Sequence, residues 1–261
     1  MKFVLCYYLA YLCYFVFLQQ RLLTHVYFQF FDVGQGDASL ISSNANLLVI
    51  DGGPNYTIDY YLDNQVPFFA CSLDYVVISH PHYDHIAGLT RLFRRCTVRN
   101  VIYYASDYTS KEWATLTTLM INSHKLHAYM GNSFKLSNKE MLHVLWPPTG
   151  YACGNINDCS VVVSYDLKHT AVLYMGDISS TITNQLKLYK KPSLIKLPHH
   201  GASNTLTREF LTKVSPFTGV LSFGVFNKYG HPHLETLKIL AYFKAHVVKT
   251  ADGSYLVKFR Y

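Results

Sequence analysis

Four side chains that can bind a metal ion lie within one hexapeptide, from His80 to His85. It reads His-Pro-His-Tyr-Asp-His and directly follows the apolar run 74–79. Imidazole and carboxylate groups together suit Zn²⁺, Mn²⁺ or Fe. The spacing divides these ligands into two pairs, because His80 and His82 can converge on one ion while Asp84 and His85 reach a second. Two adjacent metals can hold and activate a water against an ester or a phosphodiester.

Two further strand ends carry residues of the same kind. The run Tyr174-Met175-Gly176-Asp177 places a carboxylate beside a glycine, where it could bridge two ions. The run 194–201 ends an apolar strand with His199 and His200, one of which can supply a ligand to the second ion. The residues alone leave open which of the two histidines binds.

Two carboxylates near the beginning of the chain could orient these ligands. Asp32 follows an apolar strand in Phe-Asp-Val-Gly-Gln-Gly-Asp, and Asp51 follows another in Val-Ile-Asp-Gly-Gly. A carboxylate behind a ligating histidine fixes its ring and its tautomer. Asp32 as a turn cap and Asp51 as a turn residue are the simpler alternatives.

The composition limits the class of protein. Of 261 residues, 50% are hydrophobic and only 15% are charged, which excludes a disordered chain. A net charge of +7 favours polyanionic partners such as nucleic acid or an anionic membrane. The basic residues are scattered, so that solvated helix faces also explain them.

The first residues form a separate hydrophobic segment. Phe3 to Leu18 has no charged residue, Gly or Pro, which predicts a membrane anchor helix over residues 1–23 and a membrane-anchored protein. The alternatives are a remnant of a longer membrane protein and an N-terminal core helix. Cys71 and Cys96 are isolated, whereas Cys153 and Cys159 could form a disulfide if the domain is extracytoplasmic.

Strands and helices alternate over the remainder, residues 24–261. Each half has antiparallel strands followed by strand-loop-helix units whose loops carry His and Asp. Two such halves facing one another predict an α/β fold, a four-layer αββα sandwich. No internal linker divides the segment, so we expect one domain.

Five motifs in this order resemble the metallo-β-lactamase superfamily. They are FDVGQGD, DGG, HPHYDH, GD and HHGAS. More narrowly, FFDVGQGDASLI, KLPHHGAS and the segments 157–160 and 228–233 resemble the soluble domain of ComEC-type competence proteins, which act in DNA uptake. The resemblance covers about residues 26–261. It implies the αββα metallo-β-lactamase fold and two divalent ions, Zn or Mn.

The resemblance also implies a role for each matching position. His80 and His82 would bind the first ion, Asp84 and His85 the second, and Asp177 both. His199 or His200 would complete the second site.

Other positions would serve the substrate and the surroundings of the metals. His231 would contact a phosphate or donate a proton to the leaving group, and His233 belongs to the same substrate-binding element. Asp84 would also accept the proton of the attacking water. The superfamily usually offers the first ion a third histidine, but the stretch from Asn157 to Ser160 takes that place here.

We therefore expect a metal-dependent hydrolase, most specifically a phosphodiesterase or nuclease acting on DNA, with single-stranded DNA as its substrate and a membrane channel as its partner. Two alternatives stay open. One is a lactonase, thioesterase or phosphocholine esterase on the same fold, and the other is a subunit that guides DNA without cleaving it. Fold alone does not choose among them.

Overall fold

A computed structural model describes residues 25–44, 46–63 and 71–260, together with Tyr7 and Tyr11. The hydrophobic segment predicted as an anchor lies outside the described residues, apart from those two tyrosines. In the part of the chain that the structure describes, no helix is both long and apolar enough to span a membrane.

Two seven-stranded sheets form the centre of the fold. In spatial order, the first sheet consists of β14 (Tyr255–Arg260), β1 (His25–Phe30), β2 (Ala38–Ser42), β3 (Leu47–Gly52), β4 (Ser72–Val77), β5 (Thr97–Tyr103) and β6 (His124–His127). The second consists of β13 (His246–Lys249), β12 (Thr218–Leu221), β11 (Pro192–Lys196), β10 (Ala171–Tyr174), β9 (Val162–Asp166), β8 (Met141–Trp146) and β7 (Ser133–Lys135).

Helices connect the strands. They are α1 (Thr57–Asp63), α2 (Tyr83–Arg95), α3 (Lys111–Leu119), α4 (Ser180–Thr183), α5 (Arg208–Val214) and α6 (Leu234–Tyr242). Short 3₁₀ turns occupy Met120–Asn122, Ile156–Cys159, Pro198–Gly201 and Thr250–Asp252.

Three hydrophobic cores separate four layers. The central core lies between the sheets, where Phe28 and Phe30 of β1 meet Tyr165 and Tyr174 of the second sheet. Alternate residues of β1 are fully buried, as the period of two in an extended strand requires. The second core covers the outer face of the first sheet with helices such as α2, and the third covers the second sheet with α5 and α6. The expected α/β fold with two sheets and helices is confirmed.

The two sheets have the same internal plan. Strands β1 to β3 are antiparallel and β3 to β6 parallel, while β8 to β10 are antiparallel and β10 to β13 parallel. Open α/β sheets bind ligands at the carboxyl ends of parallel strands. Here the end of β3 and the loops after β4, β10 and β11 carry predicted His and Asp residues.

The described chain contains two disulfides. Cys153 bonds to Cys159, and Cys71 bonds to Cys96, with Cα–Cα distances of 5.6 and 4.6 Å. The description of Cys71 and Cys96 as isolated was wrong, because β4 and α2 run antiparallel to each other and bring both ends of one strand-loop-helix unit together. That unit carries the hexapeptide from His80 to His85.

Several details differ from the prediction. Strands β6 and β7 were not predicted, because their sequences, His-Lys-Leu-His and Ser-Phe-Lys, contain one large apolar residue each. The apolar spacing over 182–188 favours a helix, but α4 ends at Thr183. The limits of the domain, residues 24–261, stay a prediction.

Candidate metal centre

The hexapeptide spans the turn between β4 and α2. His80 lies in the turn, His82 immediately precedes the helix, and Asp84 and His85 occupy its first turn. His80 and His85 are fully buried, whereas His82 is half-buried. The helix N-terminus is an electrostatically favourable place for the Asp84 carboxylate.

Four histidine side chains lie around a single carboxylate oxygen. Asp177 Oδ2 lies 3.8 Å from Nε2 of His80, 3.4 Å from that of His85, 3.8 Å from that of His199 and 3.6 Å from that of His200. Two ligands that each bond one ion at about 2.1 Å lie roughly 3 to 4 Å apart, depending on the angle between the two bonds. These oxygen–nitrogen distances therefore suit an Asp177 carboxylate that binds the same ions as the histidines.

The inward-facing atoms are buried without hydrogen bonds to other described residues. They are Nε2 of His80, His85 and His200, and Oδ1 of Asp177. Buried polar atoms normally have partners, so this cluster calls for a ligand. The donor atoms of His80, His85 and Asp177 lie within 4.8 Å of one another, as do those of Asp84, His85 and His200. Imidazoles with carboxylates fit a divalent ion such as Zn²⁺ or Mn²⁺.

Asp51, which was predicted to orient a ligand, contacts His85. Its Oδ2 lies 2.8 Å from His85 Nδ1, and Ser79 holds the carboxylate through its backbone N–H and its hydroxyl, at 2.8 and 2.6 Å. His85 Nε2 therefore faces the cluster. Burial lowers the pKa of His85, but Asp177 and Asp51 outweigh it and raise the pKa well above its usual value.

Asp37, which the sequence interpretation missed, contacts His200 from behind. Its Oδ1 lies 3.3 Å from His200 Nδ1, which also contacts the carbonyl oxygen of Ser222 at 2.8 Å. Lys196 Nζ lies 2.5 Å from Asp37 Oδ2. Burial raises the pKa of Asp37, but Lys196 and His200 outweigh it and bring the value to about 2. The sequence contained one signal for Asp37. Lys196 belongs to the buried strand β11, and a buried lysine requires a carboxylate partner.

Asp32 has a local contact instead of the expected contact with a ligand. Its Oδ1 accepts a hydrogen bond from the backbone N–H of Gly34, and its own N–H donates to Ser254 Oγ. The interpretation of Asp32 as a turn cap therefore describes it better than the orienting role. Asp37, five residues later, takes that role because Gly36 lets the loop approach Asp84, where a Cβ would collide with the carbonyl oxygen.

The two adjacent histidines occupy different positions. His200 is buried, and its Nε2 lies 3.3 Å from Asp84 Oδ2, whereas the His199 side chain is 32% exposed. Of the pair, His200 is thus placed to complete the site of Asp84 and His85. Both residues, like Asp51, have a positive φ, near 50°. Strained backbone of this kind occurs most often at functional sites.

The stretch predicted to replace a third histidine contacts the first site. Ser160 Oγ accepts a hydrogen bond from the Asp177 N–H at 3.0 Å and lies 3.3 Å from His80 Nδ1. Ser160 thereby positions both groups. Asn157 Oδ1 is buried and has no hydrogen-bond partner in the described chain.

His231 and His233 have separate roles. His231 faces His199, with ring centroids 5.6 Å apart, and burial, followed by His200 and His199, lowers its pKa to about 4. His233 accepts the Ser203 N–H at Nδ1, and its Nε2 lies 3.1 Å from the Tyr229 carbonyl oxygen. The structure thus uses both nitrogens of His233 to brace the loop, whereas we expected it to bind substrate.

The cluster opens to solvent through a cavity of about 240 Å³. Its lining comprises Gln35, His82, Asp84, Asn157, Asp177, His199, His200, Tyr229 and His231. A substrate entering there would meet the open side of both candidate metal sites.

Comparison with known proteins agrees with this architecture. ComE operon protein 3 of Bacillus subtilis is 21% identical over 252 residues, which cover 88% of this chain and 32% of that protein. Recombination protein 2 of Haemophilus influenzae is 23% identical over 235 residues, which cover 87% and 28%. The chain thus spans about a third of the length of these curated relatives. Both matches confirm the resemblance to ComEC-type proteins.

A solved structure supports the fold. The metallo-beta-lactamase fold protein YhfI of Bacillus subtilis superposes with a TM-score of 0.57 at 14% identity, covering 90% of this chain and all of that one. The model of the metallo-beta-lactamase superfamily matches residues 31–225, about three quarters of the sequence. The chain belongs to the metallo-beta-lactamase superfamily and has the fold of its metal-dependent hydrolases.

Proposed function

We propose that this protein is a metal-dependent phosphodiesterase that cleaves DNA, and that it serves a DNA-uptake process of the ComEC kind. The observation that carries the proposal is the shared carboxylate, because Asp177 lies within ligand spacing of histidines from both candidate sites. Bound divalent ions would supply an activated water and would neutralise charge on the phosphate.

The residues that face the cavity suit this reaction. Asp84 is an ionised carboxylate, since burial raises its pKa but His200 and His85 outweigh it and hold the pKa well below its usual value. It can accept a proton from an attacking water. His231 is uncharged at neutral pH and can donate a hydrogen bond to a phosphate oxygen or to the leaving group.

A polyanionic substrate agrees with the charge and with the relatives. The net charge of +7 favours phosphate-rich partners, and one relative is named for recombination. A membrane channel partner, which the resemblance to ComEC-type proteins implies, is part of the proposal. Binding of DNA should weaken with increasing salt, because phosphate contacts release counterions.

Digestion of DNA by the full chain tests the proposal. Single-stranded DNA incubated with Mn²⁺ or Zn²⁺ should be cleaved by the wild type and not by Asp84→Ala or Asp177→Ala. Glu209→Ala, an exposed residue of α5 paired with Lys213, is the control and should retain full activity. Cleavage that survives both aspartate substitutions would show that this site is not responsible.

The alternatives give different results in the same series. Turnover of a lactone, a thioester or a phosphocholine ester, with DNA left intact, would assign another hydrolase activity. Metal-loaded protein that binds DNA and cleaves none of these substrates would be a guiding subunit.

We also propose that the domain works in an extracytoplasmic, oxidising compartment. Disulfides persist there and are rare in the cytosol, and both pairs in the described chain are bonded. Alkylation of the unfolded protein, isolated without reductant, should leave Cys71, Cys96, Cys153 and Cys159 unmodified. Alkylation of all four of these cysteines would instead place the domain in a reducing compartment. The membrane anchor over 1–23 stays a prediction.

A further inference from the structure

A second and larger recess adjoins the metal cavity. This tyrosine cleft, about 600 Å³ in volume, is formed by the loops 104–108 and 150–156 and includes Tyr104, Tyr108 and Tyr151. Tyr108 joins it to the metal centre, because its ring centroid lies 5.6 Å from that of His82. The volume falls within the range of sites that hold small organic groups.

The chemistry of the cleft suits an uncharged, flat group. None of the described residues that line it is Lys or Arg, and Asp107 would repel a phosphate. Ser106 lines the cleft, and its buried Oγ has no hydrogen-bond partner among the described residues, which leaves this hydroxyl available to a polar edge of a ligand. Aromatic faces beside an unpartnered hydroxyl fit a nucleobase better than a sugar-phosphate backbone.

A second aromatic surface lies across the cavity. The rim loop, residues 224–233, lines the cavity with Tyr229 and His231, whose rings stack with centroids 5.7 Å apart. Phe226 at its tip is 98% exposed, and Lys228 Nζ lies 5.3 Å from the Tyr229 ring centroid. The loop thus combines exposed rings with a cation.

The rim loop is held in place before any ligand binds. Asn227 Nδ2 donates to the carbonyl oxygens of Gly224 and His231, at 2.8 Å each, and its Oδ1 accepts the His231 N–H at 2.9 Å. His233 adds a contact to the Tyr229 carbonyl oxygen. A braced loop loses little entropy on binding, so its exposed rings are ready to stack.

We propose that single-stranded DNA crosses the metal centre with one base in the tyrosine cleft and another on the rim loop. The phosphate between them would then lie in the cavity beside Asp84 and Asp177. This inference rests on the proposed nuclease function and assigns its substrate a path. Successive bases on aromatic faces beside a cation are a known means of binding single strands without sequence preference. A duplex keeps its bases stacked on each other and could not use either surface.

The test compares two single strands that differ only in their bases. Full-length protein carrying its metals is titrated, by fluorescence anisotropy, with a phosphorothioate-linked oligothymidylate and with an abasic strand of the same length and linkage. The wild type should prefer the strand with bases. Tyr108→Ala and Tyr229→Ala should each reduce that preference roughly tenfold, while the phenylalanine variants retain it.

Tyr189→Ala is the matched control. Tyr189 is 57% exposed and its ring also contacts a histidine, His143, but it lines neither the metal cavity nor the tyrosine cleft. Its removal should leave the preference unchanged. Equal binding of both strands by the wild type would overturn the proposal, as would equal weakening of both strands in the alanine variants.

Cleavage is measured separately, on a phosphodiester-linked strand. A preference for bases without cleavage would support the strand path and refute the nuclease function. Cleavage without such a preference would refute the path and leave the nuclease function standing.

Discussion

At the scale of single residues, the centre depends on which nitrogen each histidine turns inward. His85 and His200 present Nε2 because Asp51 and Asp37 contact their Nδ1 atoms. His80 does so beside the hydroxyls of Ser79 and Ser160. The residue types in the hexapeptide were sufficient to predict a cluster of candidate metal ligands. The choice between His199 and His200 was not, because it depends on a left-handed turn that the sequence does not specify.

The two adjacent histidines should differ in their effect on metal binding. His200→Ala removes a buried donor 3.3 Å from Asp84 and should weaken one ion at least about a hundredfold, since loss of even an outer partner costs about 10- to 100-fold. His199→Ala should weaken that ion much less. Metal titration by calorimetry measures both, and equal losses would show that the positions of the two rings are misassigned.

Metal binding should release protons. Burial lowers the pKa of His200, but Asp177 and Asp37 outweigh it and raise the value to about 10 in the metal-free protein. At pH 7 its ring therefore carries a proton, which a metal must displace, so affinity should rise with pH up to about 10. Calorimetry in buffers of different ionisation enthalpy counts the protons, and a count of zero would contradict this expectation.

At the scale of secondary structure elements, the periodicity of the sequence predicted most strands and helices, and the loops after β4, β10 and β11 were correctly located. One contact between distant elements could not be predicted. Asp37 and Lys196 are 159 positions apart in the sequence and meet only when the sheets pack together. By contrast, the segment that ends in Ser160 was assigned to the first site from the resemblance, and Ser160 Oγ lies 3.3 Å from His80 Nδ1.

The ion pair between Lys196 and Asp37 should contribute both to the stability of the fold and to metal binding. Lys196→Met keeps the volume but leaves the Asp37 carboxylate buried and without its ammonium partner, which should cost about 3 to 5 kcal/mol in the free energy of unfolding. It should also weaken the metal site through His200. Denaturant unfolding and metal titration measure the two effects.

Two further variants identify the cause. Lys213→Met breaks an exposed pair within α5 and should change neither quantity appreciably. Adding Asp37→Asn to Lys196→Met should restore part of the stability, because the unpaired charge is removed. No recovery in the double variant would mean that packing, rather than charge, determines the loss.

At the scale of the whole molecule, two similar halves bring their parallel strand ends to one edge, and the metal centre lies between them. The first half contributes His80, Asp84 and His85, and the second contributes Asp177 and His200. The fold could be predicted because each half repeats the same order of strands and helices. The aromatic surfaces on either side could not, because the abundant tyrosines are spread over the chain.

The most direct measurement is the initial rate of single-stranded DNA cleavage during titration of metal into chelated full-length protein. If Asp177 shares the metal centre as described, the rate should rise with metal occupancy, return to background on chelation, and stay at background in Asp177→Ala at every metal concentration. Cleavage that persists in chelator, or that Asp177→Ala retains, would contradict the assignment of phosphodiester hydrolysis to this centre.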